Sequence, residues 1–439
     1  MSKIMRLIVL LCAMLCSQTI CAQNAHRRTL GIDEMFRLAD ENSQRIKTFV
    51  TGTETAAEAV RAAKAQRLPD MDVSASASYL GNGRVWNRGF RNGQNVPIPH
   101  FGNSFSLQAS QVIYAGGAIN SGIALAELGE QMANLDLQKN RQEVRFLLIG
   151  YYLNIYQLNN QEQVFKNNIE LTKMVIANMV SRHKEGAALK NDITRYELQL
   201  EQLNLQLAKV QDARQIMNHQ MVTTLHLPEN TEIIPDSTLL SKTVIPQTEN
   251  KWQALATEYN VGVEQAELSV NINKQKLKLE RSSQLPNLAL IAENHLNGPI
   301  TIEIPAIDKN FNYWFVGVGL KYNISSLFKN NKKISAAKLS VRRAEEEHSL
   351  VLEQIENAVH ASYIDLKTAY TELQTCLKST ELADENYKIA SNRYENELAL
   401  LTELLDAANM KLDADLGLVN ARINLVYNHY KMKYITHTL

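Results

Sequence analysis

The chain has 439 residues, with 46 Lys or Arg against 46 Asp or Glu, and 45% of its residues are hydrophobic. It is long enough for two or three ordinary domains, and its zero formal net charge argues against a nucleic-acid-binding protein, which would have a basic surplus. The nine prolines leave two proline-free stretches, residues 100–227 and 306–439. Because a proline in a helix interior costs about 3 kcal/mol, these stretches argue against a β-sandwich or α/β fold. They predict a chain dominated by very long helices.

Residues 1–22 have the features of a secretory signal peptide, because Lys3 and Arg6 precede an apolar run. Cleavage after Ala22 would leave a mature chain with a net charge of −2 and a single thiol, Cys376, so no internal disulfide could form. An alternative, lipid attachment at Cys21, is disfavoured because the residues before it do not form a lipobox. No later segment reaches the roughly 20 apolar residues of a membrane helix. A membrane-bound mature chain must therefore span as strands.

Hydrophobic periodicity and proline positions predict the same order of elements in both halves. In the first half we predict a helix over 29–67, a strand over 71–79, a loop over 81–103, a strand over 104–113 and a long helix over 118–182. In the second half we predict a helix over 252–283, a strand from Leu288, a loop over 297–311, a strand over 314–324 and a second long helical stretch. Such self-similarity at long period predicts two repeats, residues 23–227 and 251–439, joined by a connector over 228–250.

Within the long helices the apolar residues follow the a/d spacing of a coiled coil. One such seam runs from Val144 to Met179, and after a break near Gly186 the pattern resumes from Ile193 to Met221. Glu162 and Arg214 are polar residues inside these seams. A looser seam of smaller residues runs through the second half until the chain turns back near Glu397. Each half therefore predicts an antiparallel hairpin, and a 65-residue helix would be roughly 100 Å long.

The predicted strands have one apolar and one small, polar face, as a strand between lipid and a water-filled lumen requires. Four strands cannot close a barrel, which needs about eight or more, and open edges do not occur in lipid. If these strands cross a membrane, several copies of the chain must contribute to one barrel. The alternative is a helical protein without a membrane part that carries two small exposed hairpins, which leaves the Trp314–Ile324 strand without a buried face.

Several sequence motifs resemble the TolC-like outer-membrane efflux proteins over nearly the whole mature chain. The motifs are Thr29–Glu34, the two Leu-Pro pairs ahead of the strands, Gln111–Gly117, Ser326–Phe328, and the turn segments Arg182–Gly186 and Arg393–Glu397. The two turn segments superimpose with an offset of 211 residues.

The resemblance implies a mainly α fold with a membrane β-barrel part. Three copies of the chain would form a 12-stranded barrel in the outer membrane of a Gram-negative bacterium, in contact with its lipid. Two long coiled-coil hairpins per chain would continue the barrel as a tunnel into the periplasm. It also implies two partners, a periplasmic adaptor protein and an inner-membrane pump that drives passive export. A periplasmic coiled-coil adaptor or scaffold without a channel is the alternative function.

The resemblance also assigns roles to particular residues. It implies that Glu403 and Asp406, together with Asp192 in the first half, line the periplasmic entrance. Their alternative role is that of acids favoured by the helix dipole in a first turn. A second group of residues is implied in the latch of the closed tip or in adaptor contact: Tyr394, Arg393, Arg182 and Gly186. Two departures from the family pattern, Glu397 at a common glycine position and Ala399 at a latching arginine position, predict different contacts in the closed tip.

The sequence contains no catalytic signature, since G-x-S-x-G, P-loop, H-E-x-x-H and C-x-x-C motifs are absent. His219 and His226 have no Cys or acidic partner at metal-ligand spacing, and Cys376 falls at a seam position typical of a small core residue. We therefore expect a protein that is not an enzyme and that has no cofactor and no metal.

Overall fold

The computed structural model describes residues 26–236 and 247–439. The predicted signal peptide, residues 1–22, lies outside the described residues, and so does the middle of the predicted connector, residues 237–246.

The long helices and the strands of the four-stranded sheet occur in the predicted order, but the loop predicted over 81–103 contains two short strands, Gly83–Val85 and Gln94–Val96. The first half contains β1 (His26–Leu30), α1 (Ile32–Asn42), α2 (Gln44–Ala65), β2 (Asp70–Tyr79), β3 (Gly83–Val85), β4 (Gln94–Val96), β5 (Phe101–Ala115), α3 (Ala118–Lys184) and α4 (Lys190–Leu225). The second half contains β6 (Thr231–Pro235), α5 (Glu249–Tyr259), α6 (Val261–Ser282), β7 (Asn287–Gly298), β8 (Phe311–Lys321), α7 (Ser326–Lys329), α8 (Asn331–Glu395) and α9 (Leu401–Ile435). Throughout the described part of the chain, no helix combines the length and apolar character needed to cross a membrane.

The chain divides into two units, and each draws on both halves of the sequence. Unit 1 contains the chain up to Phe49 together with Leu137–Val261 and Glu353–Leu439. Unit 2 contains Val50–Asp136 and Gly262–Leu352. These units differ from the predicted repeats 23–227 and 251–439, whose boundaries stay a prediction.

Unit 2 contains an antiparallel sheet of four strands in the order β2-β5-β7-β8. Val73 lies opposite Leu107, and Leu290 lies opposite Val318. Directly opposed residues of paired strands share a face, so this register collects the alternating apolar residues on one side of the sheet. Within the described residues that apolar face is uncovered, as the 71% exposure of Trp314 illustrates. Strands β2 and β8 are the two edges, so the sheet of one chain is open.

The opposite face of the sheet carries hydroxyl, amide and charged groups that contact one another across the strands. The Ser74 and Ser106 hydroxyl oxygens are 2.8 Å apart, and Ser104 donates a hydrogen bond to Asn297 over 2.7 Å. His295 lies 2.8 Å from the Glu293 carboxylate on β7. One apolar and one polar face are what the alternating sequence predicts.

Two predicted helices are interrupted, which corrects the sequence prediction. The helix expected over 29–67 is broken at Ser43, and the helix expected over 252–283 is broken at Asn260, each with an extended backbone. Side chains of this type compete with helical hydrogen bonding, and the Asn260 amide donates to the Ile435 carbonyl over 2.8 Å. This tertiary hydrogen bond stabilises the break at Asn260.

A parallel pair of strands in unit 1 is absent from the sequence prediction. Residues Thr29 and Leu30, expected in a helix, belong to β1, which pairs with β6 in the predicted connector. The buried Tyr152 hydroxyl donates to the Leu30 carbonyl over 2.9 Å and accepts from the Asp236 amide over 2.7 Å. Burial raises the pKa of Tyr152 to about 12. This tyrosine links α3 to the ends of both strands.

The α3/α4 hairpin buries its predicted seam. Its core contains Leu158, Phe165, Ile169, Leu203 and Val210. Two of the polar seam residues meet: Glu162 lies 3.4 Å from the Arg214 guanidinium and 2.7 Å from Lys166. In the second hairpin, α8 and α9 pack around Leu366, Ala369 and Leu425. Each half of the chain therefore contains two long helices that are joined by a short turn.

Candidate functional site

The two hairpins end in turns with the same hydrogen bonds. In the first turn, the Gly186 amide donates to the His183 carbonyl and the Ala187 amide donates to the Arg182 carbonyl, over 3.0 and 2.8 Å. In the second turn, the Glu397 amide donates to Tyr394 and the Leu398 amide to Arg393, over 3.1 and 2.7 Å. Both patterns are Schellman caps. Their residues correspond one by one at the offset of 211 that the sequence predicted.

The two turns differ at the residue that takes the left-handed conformation. Gly186 has a φ of +78°, which glycine adopts without cost. Glu397 occupies the same place with a φ of +63°, although a residue with a Cβ pays roughly 1–2 kcal/mol there. The second turn therefore keeps its shape at a conformational cost that the first turn does not have.

Arg182, from the first turn, contacts the second turn in three ways. Its guanidinium lies 3.0 Å from the Glu397 carboxylate and 5.2 Å from the centre of the Tyr394 ring. It also donates to the Tyr394 carbonyl over 3.5 Å. Only 19% of the Arg182 side chain is exposed. Because guanidinium groups bind carboxylates and stack on aromatic rings, Arg182 connects the tips of the two hairpins.

An apolar cluster lies beside this contact. It is formed by Met179, Ile193, Tyr196 and Leu401, with Tyr394 packed against it. Burial raises the pKa of Tyr394, with Arg182 opposing the shift and Asp192 adding to it. The tip of each hairpin is thus held to the other by packing as well as by charge.

Arg393 contacts its own hairpin. It donates to the Leu398 carbonyl over 3.0 Å, and it lies 3.4 Å from the Glu403 carboxylate. Glu403 also accepts from the Leu400 amide over 3.5 Å, at the third position of α9. A carboxylate in that position stabilises a helix N-terminus. The alternative role foreseen for Glu403, an acid of the first helical turn, is therefore realised in the geometry.

Asp406 and Asp192 have different surroundings. Asp406 is exposed one turn after Glu403, and the described residues give it no ion-pair partner. Asp192 is partly buried in the first turn of α4, where its field acts on Tyr394. Of the three predicted entrance acids, Asp406 is the one whose charge faces solvent without a neighbouring cation among the described residues.

The structure brings together Arg182, Tyr394 and Asp192 across the two hairpins, and Arg393 with Glu403 within one. Glu397, which departs from the family pattern, joins this group because its carboxylate is the ion-pair partner of Arg182. The negative charge of Glu397, at the turn position where the first hairpin has Gly186, is opposite to that of Arg182. This difference between the two turns was the sequence signal for the contact. No group of three or more His, Cys, Asp or Glu able to hold a metal ion occurs among the described residues.

These long helices and the four-stranded sheet form a fold that solved outer-membrane channels share. Residues 253–429 match the family model described as outer membrane efflux protein. Over these residues the match confirms the resemblance to the TolC-like outer-membrane efflux proteins that the motifs indicated.

Solved structures of such channels have the same fold. VceC from Vibrio cholerae superimposes with a TM-score of 0.76 at 13% identity, covering 92% of this chain and 95% of that one. CmeC from Campylobacter jejuni gives 0.73 at 16% identity, covering 92% and 85%. MtrE from Neisseria gonorrhoeae, solved in an open state, gives 0.72 at 13% identity, covering 92% and 88%. No curated protein matches the chain. The predicted outer-membrane location agrees with the family description and with the names of these neighbours.

Proposed function

We propose that the protein is the outer-membrane conduit of a tripartite export system. Three copies would contribute four strands each to a 12-stranded barrel, and their hairpins would form a tunnel that reaches into the periplasm. A periplasmic adaptor protein and an inner-membrane pump would engage the hairpin tips and supply the energy. Passage through the conduit itself would be passive, so the protein would act as neither an enzyme nor a cofactor carrier.

The observation that carries this proposal is the uncovered apolar face of the unit 2 sheet. Fully exposing side chains such as Val73, Trp314 and Val318 to water would be unfavourable, because burial of a large apolar side chain gains about 1.5–3 kcal/mol. Lipid would cover that face. Strand edges are not tolerated in lipid, so β2 of one copy would pair with β8 of the next.

A periplasmic adaptor or scaffold remains the alternative function, and it would place the sheet in water. The decisive experiment expresses the full-length protein and compares its fractionation and its channel activity. We expect trimers whose gel mobility changes on heating, recovery with the outer membrane, and discrete conductance steps in a planar bilayer. Recovery in the soluble periplasmic fraction without conductance would favour the adaptor.

We further propose that the contacts of Arg182 hold the hairpin tips in the closed state of the tunnel, with Gly186 and Arg393 fixing the two turns. Loss of the guanidinium in Arg182→Ala removes the ion pair to Glu397 and the stacking on Tyr394 together. In planar-bilayer recordings, the channel openings of this variant should become more frequent and last longer. Lys173→Ala is the matched control, because Lys173 forms an exposed pair with Glu170 on the same helix. Equal gating of the two variants would contradict the latch.

The entrance acids are the third part of the proposal. Threefold symmetry would turn Glu403, Asp406 and Asp192 each into a ring of three charges at the periplasmic end. Rings of carboxylates attract cations in pores. Asp406 would contribute most, because Arg393 already lies beside Glu403 and Asp192 is partly buried.

A further inference from the structure

The segment between β2 and β5 carries an unusual concentration of positive charge. Between residues 73 and 126 the sequence contains no Asp, Glu or Lys, and its charged side chains are Arg84, Arg88 and Arg91. All three arginines are exposed, and within the described residues none has a carboxylate partner. A cluster of three like charges without counterions in the protein is a binding surface for anions.

The arginines are presented by an ordered hairpin. Strands β3 and β4 pair with Arg84 opposite Asn95, and the tip closes through a hydrogen bond from the Asn87 amide to the Arg91 carbonyl over 3.1 Å. At the base of the segment, the Leu80 amide donates to the His100 carbonyl, and the His100 ring stacks on Tyr79 at 5.1 Å. These hydrogen bonds give the segment that carries the three arginines a defined hairpin backbone.

Two aromatic side chains share the tip with the arginines. Trp86 lies under the Arg84 guanidinium at 5.5 Å, and both lie over Gly93, where a Cβ would come within 2.9 Å of the arginine Nε. Phe90 is 86% exposed and has a φ of +57°. A bulky residue in this conformation is strained, and because Phe90 is exposed, packing does not offset the strain. Such strain is found at functional sites.

Alternating guanidinium and aromatic groups suit a ligand with both anionic and apolar parts. An acidic polysaccharide would satisfy the arginines and leave Trp86 and Phe90 in water, whereas aromatic residues favour the boundary between headgroups and acyl chains. We propose that this hairpin, the arginine tip (residues 84–93), binds the phosphate groups of the glycolipid in the outer leaflet. The inference rests on the proposed function, which places the β2–β5 connection at the outer end of the strands.

The test measures lipid binding to the full-length trimer in neutral detergent. The probes are diphosphoryl lipid A and the same lipid with its phosphates removed, and native mass spectrometry counts bound lipid per trimer. The wild type should bind the phosphorylated lipid, with an affinity that falls as salt is raised, and should bind the dephosphorylated lipid weakly. In R84Q/R88Q/R91Q the affinity should fall on the order of tenfold to a hundredfold, because each basic residue near anionic lipid contributes about 1 kcal/mol.

The control R61Q/R342Q/R343Q removes the same charge from exposed helical positions of unit 2, whose side chains are 75%, 75% and 80% exposed. It should bind lipid A like the wild type. Equal binding by R84Q/R88Q/R91Q, or equal binding of the dephosphorylated lipid, would overturn the proposal. Loss of the trimer in that variant would also overturn it, since the arginines would then bind carboxylates such as Glu303 of a neighbouring copy. Conductance of the wild type and of R61Q/R342Q/R343Q separates these outcomes from failure of the proposed channel function, because both should conduct.

Discussion

The two hairpins of this chain are alike in their turns and differ in the residues along their seams. Their turns have matching hydrogen bonds at an offset of 211 residues, yet one places Gly186 and the other Glu397 in the left-handed position. Their seams differ more. At matched positions, Phe165 of α3 corresponds to Cys376 of α8, and Glu162 corresponds to Leu373. A hairpin of this kind requires a turn geometry and an apolar stripe, and it leaves the identity of the side chains open.

The two seams differ in the size of their buried side chains. The first has large buried side chains, such as Phe165, and an ion pair within its seam. The second has smaller buried seam residues, such as Ala369 and Ser362, which permit close approach of the helices. Substitutions at matched positions should therefore have unequal effects.

The largest inequality is expected at the seam. Phe165→Ala would remove an almost fully buried ring from the first core cluster, and such changes cost about 3–5 kcal/mol in free energy of unfolding. Cys376→Ala, the matched change in the second hairpin, removes one sulfur from a partly exposed site and should cost less than about 1 kcal/mol. Thermal denaturation followed by circular dichroism at 222 nm measures both. Equal midpoints would mean that the two seams are energetically equivalent.

The next effect concerns the seam ion pair of Glu162 in the first hairpin, whose matched position in the second hairpin is Leu373. Burial raises the pKa of Glu162, but the hydrogen bonds from Lys166 and Gln211 and the charge of Arg214 outweigh it, so the pKa lies below its usual value of 4.5. A folded-state pKa that is depressed contributes stability above the unfolded value, and this stability is lost as the pH falls through the folded value. Glu162→Leu, which copies Leu373, should cost about 1–3 kcal/mol at pH 7 because Arg214 loses a partner.

Acid denaturation sharpens this prediction. The wild type should lose stability steeply as the pH falls below about 4.5, whereas Glu162→Leu should show a shallower dependence there. Leu373→Ala is the control from the second hairpin, because it changes packing without changing a titratable group. A pH profile of Glu162→Leu that parallels the wild type would show that the pair contributes nothing to acid sensitivity.

Features encoded by local pattern could be predicted from the sequence. The alternation around Trp314, the Leu-Pro pairs before β2 and β7, and the offset between the two turn motifs gave the order of strands and helices. Each depends on residues close together in the chain, so periodicity and turn chemistry suffice to reveal it.

Features encoded by distant contacts could not be predicted. The pairing of β1 with β6 joins segments about 200 residues apart, and five-residue strands carry little periodicity. The break at Asn260 is stabilised by a hydrogen bond to the Ile435 carbonyl near the C-terminus. At the candidate site, Arg182 and Tyr394 were expected, but the contribution of Glu397 depends on the two tips being adjacent, which no local pattern specifies.

A smaller effect is expected at the two turns. Gly186→Ala puts a Cβ on a residue with positive φ and should cost about 1 kcal/mol. Glu397→Gly, the reciprocal change, relieves a similar cost and loses an ion pair whose carboxylate is 74% exposed, which is worth about 0–1 kcal/mol. The denaturation midpoint should fall in the first variant and stay nearly unchanged in the second. A large loss of stability in Glu397→Gly would mean that the Arg182 contact contributes far more than an exposed ion pair.

The smallest effect on stability, and the most specific effect on function, is expected at the first turn of α9. Glu403 has Arg393 beside it and accepts a backbone hydrogen bond, whereas Asp406 is exposed and unpaired among the described residues. If these residues line the entrance, Asp406→Asn should reduce the preference for cations more than Glu403→Gln does, and the double variant Glu403→Ala/Asp406→Ala should abolish it. The reversal potential of single channels in a salt gradient measures this preference. An unchanged reversal potential in the double variant would exclude both carboxylates from the selective part of the pore, and a larger shift in Glu403→Gln would mean that Arg393 leaves Glu403 when the tips open.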